Sequence, residues 1–375
     1  MGTDLFGFIE RSKKLDMSIL RNIETLPVLA AFIFTSCITN PVEDFGPIPF
    51  TTQGVYVLNE GNFGRGNSTL TLYIPDSNKV YQDVFKGVNS RDLGGTGNDM
   101  VIFGTRAFIL LNSSDKIEVI STVDNSTVRT IITKFGRGPY NMEIVGLKGY
   151  VTNRDAASVT VLDLNTFAVL RDSIPVGLNP EGMASAFGKV YVCNSGFGNG
   201  RTVSVIDASL DRVVRTLQVG DGPRFAKPTS DGAIWVLCAG SYGDFNNPND
   251  DTPGKIFVIN PISDLVVDSI VVDRRPGKHP GKMAVSFDGF AYVVLDNQIL
   301  QFNTRIDQLV TSAFAIGSLT SNFNTVGVDD FTGDVYVGDA KDFVRNGEVL
   351  VYRSDGFFKT RFETGVIPGT IQFKR

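Results

Sequence analysis

The sequence predicts an all-β fold, a seven-bladed β-propeller built from four-stranded antiparallel blades. Short apolar segments alternate with polar turns, most clearly between residues 149 and 189, and this pattern is typical of antiparallel strands. The unit recurs, and each copy opens with an aromatic residue: Tyr56, Phe108, Tyr150, Tyr191, Trp235, Tyr292 and Tyr336. Most spacings are close to the period of roughly 40–45 residues expected for a propeller blade.

The copies divide the chain into blades, whose strands we label A to D from the axis outward. The first copy begins at strand B with residues 55–57, whereas residues 368–373 at the other end have the pattern of a strand A. We therefore expect the C-terminal strand to complete blade one, which closes the ring and removes open sheet edges. The predicted blades span residues 55–85, 98–133, 140–174, 180–219, 223–272, 280–316 and 322–364.

The connections between strands differ in length on the two faces of the predicted ring. A–B turns are short, whereas four B–C loops are long, at residues 59–67, 194–201, 240–254 and 339–347. Aromatic residues stand in these loops among Gly and Asn: Phe63, Phe197, Tyr242, Phe245 and Phe343. Exposed aromatic side chains usually meet a partner, so we predict that the face carrying the B–C loops binds a ligand.

Polar and aromatic residues recur near the predicted axis. They stand at the starts of strands A (Tyr140, Asn179, Glu181, Arg224, Phe225, Lys282 and Asn322) and at the ends of strands B (Asn59, Asn153 and Asn194). Turn chemistry explains each Asn equally well, and Glu181, Arg224 and Lys282 also fit an ion-pair ring along the channel. Together they predict a concave, polar-rimmed mouth, the usual binding site of such a fold.

Enzymatic signatures are absent, and we expect neither catalytic residues nor a metal or cofactor. The sequence contains a single histidine, His279, which excludes a His-rich metal site. A Ser-His-Asp triad would have to use this histidine. Cys193 and Cys238 lack zinc-site spacing. Their predicted strands lie roughly 10 Å apart, beyond the ~4.4–6.8 Å of a disulfide, so we expect two free thiols. The net charge of −5 argues against nucleic acid and against anionic lipid headgroups.

The N-terminal region predicts export. Residues 26–34 are apolar but too few to span a bilayer, and small residues then precede Cys37. This arrangement resembles a bacterial lipoprotein signal, with residues 1–36 as signal peptide, 37–54 as lipidated Cys37 and tether, and 55–375 as propeller. Lipid chains on Cys37 would tether the protein to a membrane. Glu43 and Asp44, shortly after the cysteine, resemble the surface-export signal of Bacteroidota lipoproteins, and this resemblance implies an outer-membrane lipoprotein exposed at the cell surface. The alternative is a buried apolar segment with a free cysteine.

The segments VGLNPEGMASAFGKVYVCN and TVSVIDASLDRVVRTLQVG resemble YncE-like, or surface-layer-type, seven-bladed propellers. The opening VYVLNEGNFGRGNSTLTLY resembles a Bacteroidota subgroup of cell-surface lipoproteins that includes cobalamin-capturing proteins of the BtuG type. The resemblance implies capture of a corrinoid, and its transfer to a TonB-dependent outer-membrane transporter as partner.

Three functions therefore stand as hypotheses. The first is non-catalytic binding of a corrinoid or similar large ligand on the long-loop face. The second is a protein–protein module docking on an outer-membrane partner, which a broad flat apolar rim would favour. The third is a lactonase-like hydrolase, which needs a carboxylate-bound metal in the channel, whereas the sequence offers only Glu181 near the starts of strands A.

Overall fold

The computed structural model describes residues 52–244 and 247–375. In these ranges the strands form seven four-stranded antiparallel sheets, which confirms the predicted seven-bladed propeller. Cys37 and the predicted signal and tether segments up to residue 51 lie outside the described residues, and so does Phe245. None of the described helices has the length and apolar character needed to cross a membrane.

The strand bounds follow the predicted blades closely. Blade one contains β1 (Gly54–Asn59), β2 (Thr69–Ile74) and β3 (Lys79–Tyr81). Blades two and three contain β4 (Gly97–Phe103), β5 (Arg106–Leu111), β6 (Lys116–Ser121), β7 (Thr127–Ile132), β8 (Pro139–Val145), β9 (Lys148–Asn153), β10 (Ser158–Asp163) and β11 (Val169–Pro175). Blades four and five contain β12 (Pro180–Ala186), β13 (Lys189–Asn194), β14 (Thr202–Asp207), β15 (Arg212–Gln218), β16 (Pro223–Pro228), β17 (Ile234–Cys238), β18 (Lys255–Asn260) and β19 (Leu265–Val271).

The remaining strands complete the ring. Blades six and seven contain β20 (Met283–Val285), β21 (Phe290–Leu295), β22 (Gln298–Asn303), β23 (Gln308–Ile316), β24 (Phe323–Val328), β25 (Val335–Asp339), β26 (Asn346–Tyr352) and β27 (Phe358–Val366), and the last strand is β28 (Pro368–Lys374). Within residues 52–244 and 247–375, the helical segments are α1 (Val84–Asn89) and the short 3₁₀ turns Pro75–Ser77, Asn112–Ser114, Arg154–Ala156, Gly196–Gly198 and Pro248–Asp250.

The C-terminal strand closes the ring as predicted. β28 pairs antiparallel with β1, with Val55 opposite Phe373, and forms the innermost strand of blade one. Beside this seam the Arg375 guanidinium donates to the Asp329 carboxylate at 2.8 Å, and the Thr52 hydroxyl donates to the same carboxylate. Because β1 runs from the A–B turns toward the B–C loops, the chain enters the propeller on the face of the short turns.

The hydrophobic core consists of layers between neighbouring blades rather than one central cluster. Each described core cluster joins residues of two adjacent blades, and together the clusters fill all seven interfaces around the ring. Cys193 and Cys238 lie in the layer between blades four and five as buried free thiols, which confirms that prediction.

The repeated aromatic of strand B connects blades three and four to the blades that follow them. The Tyr150 hydroxyl donates to Asp211 at 2.6 Å, and the Tyr191 hydroxyl donates to Asp264 at the same distance. Both aspartates stand in the C–D turn of the following blade with positive φ, 47° and 52°, which Asp tolerates better than most residues. We call this contact the tyrosine–aspartate latch.

Candidate functional site

The seven strands A surround a central channel. Its cavity has a volume of about 300 Å³ and is lined by residues of every blade, with only Gly182 from blade four. Three of the predicted site residues line it: Tyr140, Phe225 and Lys282. The mouth on the long-loop face carries charged side chains on two sides.

The first side is formed by blades three to five. Arg224 Nε donates to Glu181 Oε2 at 3.0 Å, and the Ser195 hydroxyl donates to Glu181 Oε1 at 2.8 Å. Burial disfavours the charged form of Arg224, but the Glu181 carboxylate and Tyr140 more than offset it and raise the Arg224 pKa. Burial, reinforced by the Glu181 charge, also raises the pKa of Tyr140. This side of the mouth therefore presents a permanent guanidinium beside a neutral phenol.

The second side is formed by blades six, seven and one. Lys282 Nζ donates to Glu60 Oε1 at 2.9 Å and to the Gly369 carbonyl at 2.5 Å. Asn324 Nδ2 donates to the same Glu60 oxygen at 3.2 Å and to the Pro368 carbonyl at 3.1 Å. These contacts hold the first residues of β28 at the mouth. Lys282 thus follows the ion-pair interpretation, as do Glu181 and Arg224 on the first side.

Aromatic side chains stand exposed in the long loops. Phe63 is 78% exposed, Phe197 64%, Tyr242 50% and Phe343 44%. The Asn62 amide donates to the Phe343 carbonyl at 2.7 Å, which brings the loops of blades one and seven together. These aromatics form a broken apolar rim around the polar mouth.

Arg154 joins this rim and was not predicted from the sequence. Its guanidinium lies 5.0 Å from the centre of the Tyr140 ring and 5.6 Å from that of Phe197, within the range of cation–π contacts. The Asn179 amide donates to the Arg154 carbonyl at 3.3 Å, which fixes the turn that carries this arginine. A cation stacked between two aromatic rings provides a flat surface that also attracts anionic groups.

The asparagines at the ends of strands B lie inside the blades and not at the mouth. Asn59, Asn153 and Asn194 are buried, and each amide donates at 2.9–3.2 Å to two hydroxyls of strand C: Thr69 and Thr71, Ser158 and Thr160, Thr202 and Ser204. The ligand contacts predicted for these three residues are therefore corrected, because their side chains are closed off from solvent. Exposed Asn322 connects the start of strand A to the B–C loop of blade seven, since its amide donates to the Lys341 carbonyl.

His279 fastens the longest loop, residues 240–254. One ring nitrogen contacts the Ala239 carbonyl at 2.9 Å and the other contacts Asp251 at 3.0 Å, while the Tyr242 ring centre lies 3.8 Å from the imidazole. The Gly243 N–H and the His279 contact hold the pKa of Asp251 below its usual range. Because both ring nitrogens are engaged, His279 is not available to activate a serine.

Metal-binding geometry is not present in the described part of the chain. Residues 52–244 and 247–375 place no three His, Cys, Asp or Glu side chains where they could hold a metal ion together. The arrangement at the mouth is therefore suited to hydrogen bonding, charge pairing and stacking on a bound molecule.

The fold and the mouth define a β-propeller with a polar channel and a rim of exposed aromatics on its long-loop face. The chain belongs to the family described as a domain of unknown function, DUF5074, whose profile matches residues 53–247, just over half of the chain. No curated protein matches the sequence.

Solved structures share the fold at low sequence identity. A quinoprotein alcohol dehydrogenase-like protein from Bacteroides thetaiotaomicron is 15% identical, with a TM-score of 0.66 over 86% of this chain and 78% of its own. Hydrazine synthase from Kuenenia stuttgartiensis is 17% identical, with a TM-score of 0.60 over 71% of this chain and 85% of its own. AztD from Citrobacter koseri is 10% identical, with a TM-score of 0.55 over 85% and 96%. At such identities the likeness shows the fold alone.

Proposed function

We propose that this protein is a non-catalytic binding propeller that holds a large, polar-edged ligand across the channel mouth on its long-loop face. The observation that carries the proposal is the combination at one mouth of exposed aromatics, Phe63, Phe197 and Phe343, with fixed charges such as the Glu181–Arg224 pair. Apolar walls with a few oriented polar groups are the usual composition of ligand sites.

The size of the channel indicates how such a ligand would bind. A cavity of about 300 Å³ is at the lower limit of ligand pockets, which span roughly 300–1,000 Å³. A large ligand would therefore lie flat over the mouth, with its faces against the loop aromatics. Its edge groups would meet Arg154, Arg224 and Lys282, which lie at or near the mouth.

A corrinoid is the ligand we propose, on the resemblance of the opening segment to cobalamin-capturing lipoproteins. The macrocycle offers a flat apolar face and a rim of amides, and the nucleotide loop of cobalamin adds a phosphate for an arginine. The same resemblance supports lipidation at Cys37, a place on the outer membrane, and transfer of the ligand to a TonB-dependent transporter.

The test is a calorimetric titration of the purified full chain with cyanocobalamin. We expect one-to-one binding, weakened about tenfold or more by Phe63→Ala combined with Phe343→Ala, because buried aromatic contacts dominate binding energies. The matched control is Phe187→Ala combined with Phe287→Ala. These phenylalanines are 67% and 79% exposed but stand in A–B turns on the opposite face.

Two results would count against the proposal. Absence of heat at high micromolar cyanocobalamin would remove the corrinoid, and an equal loss in both phenylalanine pairs would remove the long-loop face. In the first case, a pull-down with outer-membrane proteins would test the alternative of a docking module.

A further inference from the structure

The channel below the mouth contains an ammonium group without a partner. Lys227 lies on β16 and lines the cavity, and within the described residues it makes neither an ion pair nor a hydrogen bond. The other lysine of the channel, Lys282, is held by Glu60 and the Gly369 carbonyl. Lys227 is exposed and therefore lines the channel with a positive charge that no described side chain pairs with.

Two carboxylates lie within electrostatic reach of this ammonium. Asp99 Oδ2 accepts from Asn141 Nδ2 at 2.7 Å and from the Met142 N–H at 3.0 Å, and Glu143 Oε1 accepts from the Ser185 hydroxyl at 2.7 Å. Burial raises the pKa of both acids, and the charge of Lys227 acts against that rise at each. The inner channel thus carries separated charges of both signs.

A buried acceptor in the same lining also lacks a donor. Asn98 lines the cavity, and its side-chain oxygen is buried with no hydrogen-bond partner. Leaving a buried polar atom unsatisfied costs about 1–3 kcal/mol, and an unseen water or ion is one explanation for such an atom in a native protein. The lining of the channel therefore includes an unpaired cation, Lys227, a carboxylate, Asp99, and a residue with an unsatisfied acceptor, Asn98.

A second opening leads to Lys227 from the short-turn face. A depression of about 360 Å³ lies at that end, and Lys227, Phe287 and Asp330 are among its lining residues. Because Lys227 and Asp330 also line the main cavity, a small solute can reach the ammonium without crossing the aromatic rim.

We propose that the channel binds a small zwitterion of the amino-acid class, with its carboxylate on Lys227 and its ammonium toward Asp99 and the Asn98 oxygen. A cavity of about 300 Å³ accommodates such a molecule. The site is separate from the one that would hold a large ligand over the mouth, and it does not depend on that function.

The first experiment compares three probes in calorimetric titrations of the full chain. L-serine carries both charges, whereas acetate and ethanolamine carry one each. We expect L-serine to bind at least tenfold more tightly than either single-charge probe. No detectable L-serine binding at tens of millimolar, or equal binding of the three probes, would overturn the proposal and leave water as the occupant.

Variants then locate the site. Lys227→Gln should weaken L-serine binding at least tenfold, and so should Asn98→Ala, which serves as the decisive variant if the first fails to fold. The control is Lys79→Gln, which removes an exposed lysine from the outer strand of blade one. Unchanged affinity in both channel variants would refute the assignment.

The two proposals can fail separately. Phe63→Ala with Phe343→Ala should leave L-serine binding unchanged, because these side chains are exposed in loops at the mouth. Lys227→Gln should likewise leave cyanocobalamin binding within about twofold of the unmodified chain. Loss of L-serine binding in the phenylalanine variant would place the zwitterion at the mouth and overturn the channel site.

Discussion

Asp99 is a buried acid whose protonation should govern part of the stability of the channel. Burial raises its pKa to about 6, against the hydrogen bond from the Met142 N–H and the charge of Lys227. The ordinary value is 3.8, so the folded protein binds this proton more tightly than the unfolded chain does. The stability that the proton contributes is fully present below about pH 4 and is lost as the pH rises through about 6.

We therefore predict that Asp99→Asn gains stability relative to the unmodified protein as the pH is raised. A shift of about two pKa units corresponds to about 3 kcal/mol, so the difference in unfolding free energy should change by about that amount between pH 4 and pH 7.5. Urea unfolding of both proteins at the two pH values measures it. A difference that is independent of pH would show that folding does not raise the pKa of Asp99.

At the mouth, sequence reasoning found the residues that begin each strand A but not their partners. Tyr140, Glu181 and Arg224 were predicted because each directly follows the proline that begins a strand A, and Lys282 because it follows Pro280 by two residues. Glu60 was missed, since its contact with Lys282 joins blades one and six across the ring, and no local pattern encodes that separation. Arg154 was missed for the same reason, because its stacking on Phe197 depends on how two neighbouring blades are inclined.

The buried asparagines are the opposite case, because the sequence just after two of them contains the hydroxyl residues that bind their amides. Asn153 is followed by Ser158 and Thr160, and Asn194 by Thr202 and Ser204. Each pair of hydroxyls lies on one face of the next strand because side chains alternate with a period of two. This recurrence predicts a hydrogen bond inside the blade and is stronger evidence than the position of these asparagines near the predicted axis, which suggested ligand contact.

Among the elements, the tyrosine–aspartate latch gives the aromatic residue that opens strand B a direct role in blades three and four. Lys148 Nζ reinforces it with a 2.7 Å contact to Asp211, and Lys189 does the same for Asp264 at 2.6 Å. Between blades two and three the aromatic is Phe108, and the position of the aspartate is taken by Phe167, with ring centres 6.1 Å apart. The turn residue therefore changes from acidic to aromatic where the hydroxyl is missing.

The latch predicts a measurable cost for Tyr150→Phe. The change removes a buried hydroxyl that donates to Asp211 at 2.6 Å, and hydrogen bonds to charged groups are worth about 1.5–3 kcal/mol. We expect the unfolding free energy to fall by about 2 kcal/mol in urea titrations. Tyr81→Phe, at a half-exposed position of an outer strand, should change it by less than 0.5 kcal/mol, a typical surface effect of about that size or smaller. Equal losses in both variants would contradict the latch.

For the whole molecule, the seam between β28 and β1 should decide whether the ring unfolds as one unit. Removing residues 368–375 takes away the innermost strand of blade one and two apolar side chains of the layer between blades seven and one, Ile371 and Phe373. Burial of two such side chains is worth about 5 kcal/mol, so the thermal midpoint should fall by roughly 10 °C or more.

The matched measurement adds a synthetic peptide of residues 368–375 to the truncated chain. Because β28 contacts the ring through backbone pairing and a few side chains, the peptide should restore part of the lost midpoint in a concentration-dependent manner. A truncated chain that melts at the original temperature would show that the remaining strands close the ring without it.

The number of blades and the closing strand were predictable because they depend on local alternation and on counting repeats. The charges of the side chains that line the channel were not predictable in this way. Lys227 lies in a strand A that lacks an obvious polar pattern, and the absence of an ion-pair partner for it among the described residues is a property of the closed ring. Blade composition is thus encoded locally, whereas the charge balance along the axis arises only after closure.

The position of β28 also fixes the order of events during synthesis. β1 forms near the start of the propeller, but its inner edge has no partner until Pro368–Lys374 leaves the ribosome. At roughly 5–20 residues per second, this edge stays open for on the order of tens of seconds. An unpaired edge strand is a template for pairing with another chain. During synthesis, blade one is therefore the blade most exposed to misassembly, although it later closes the ring.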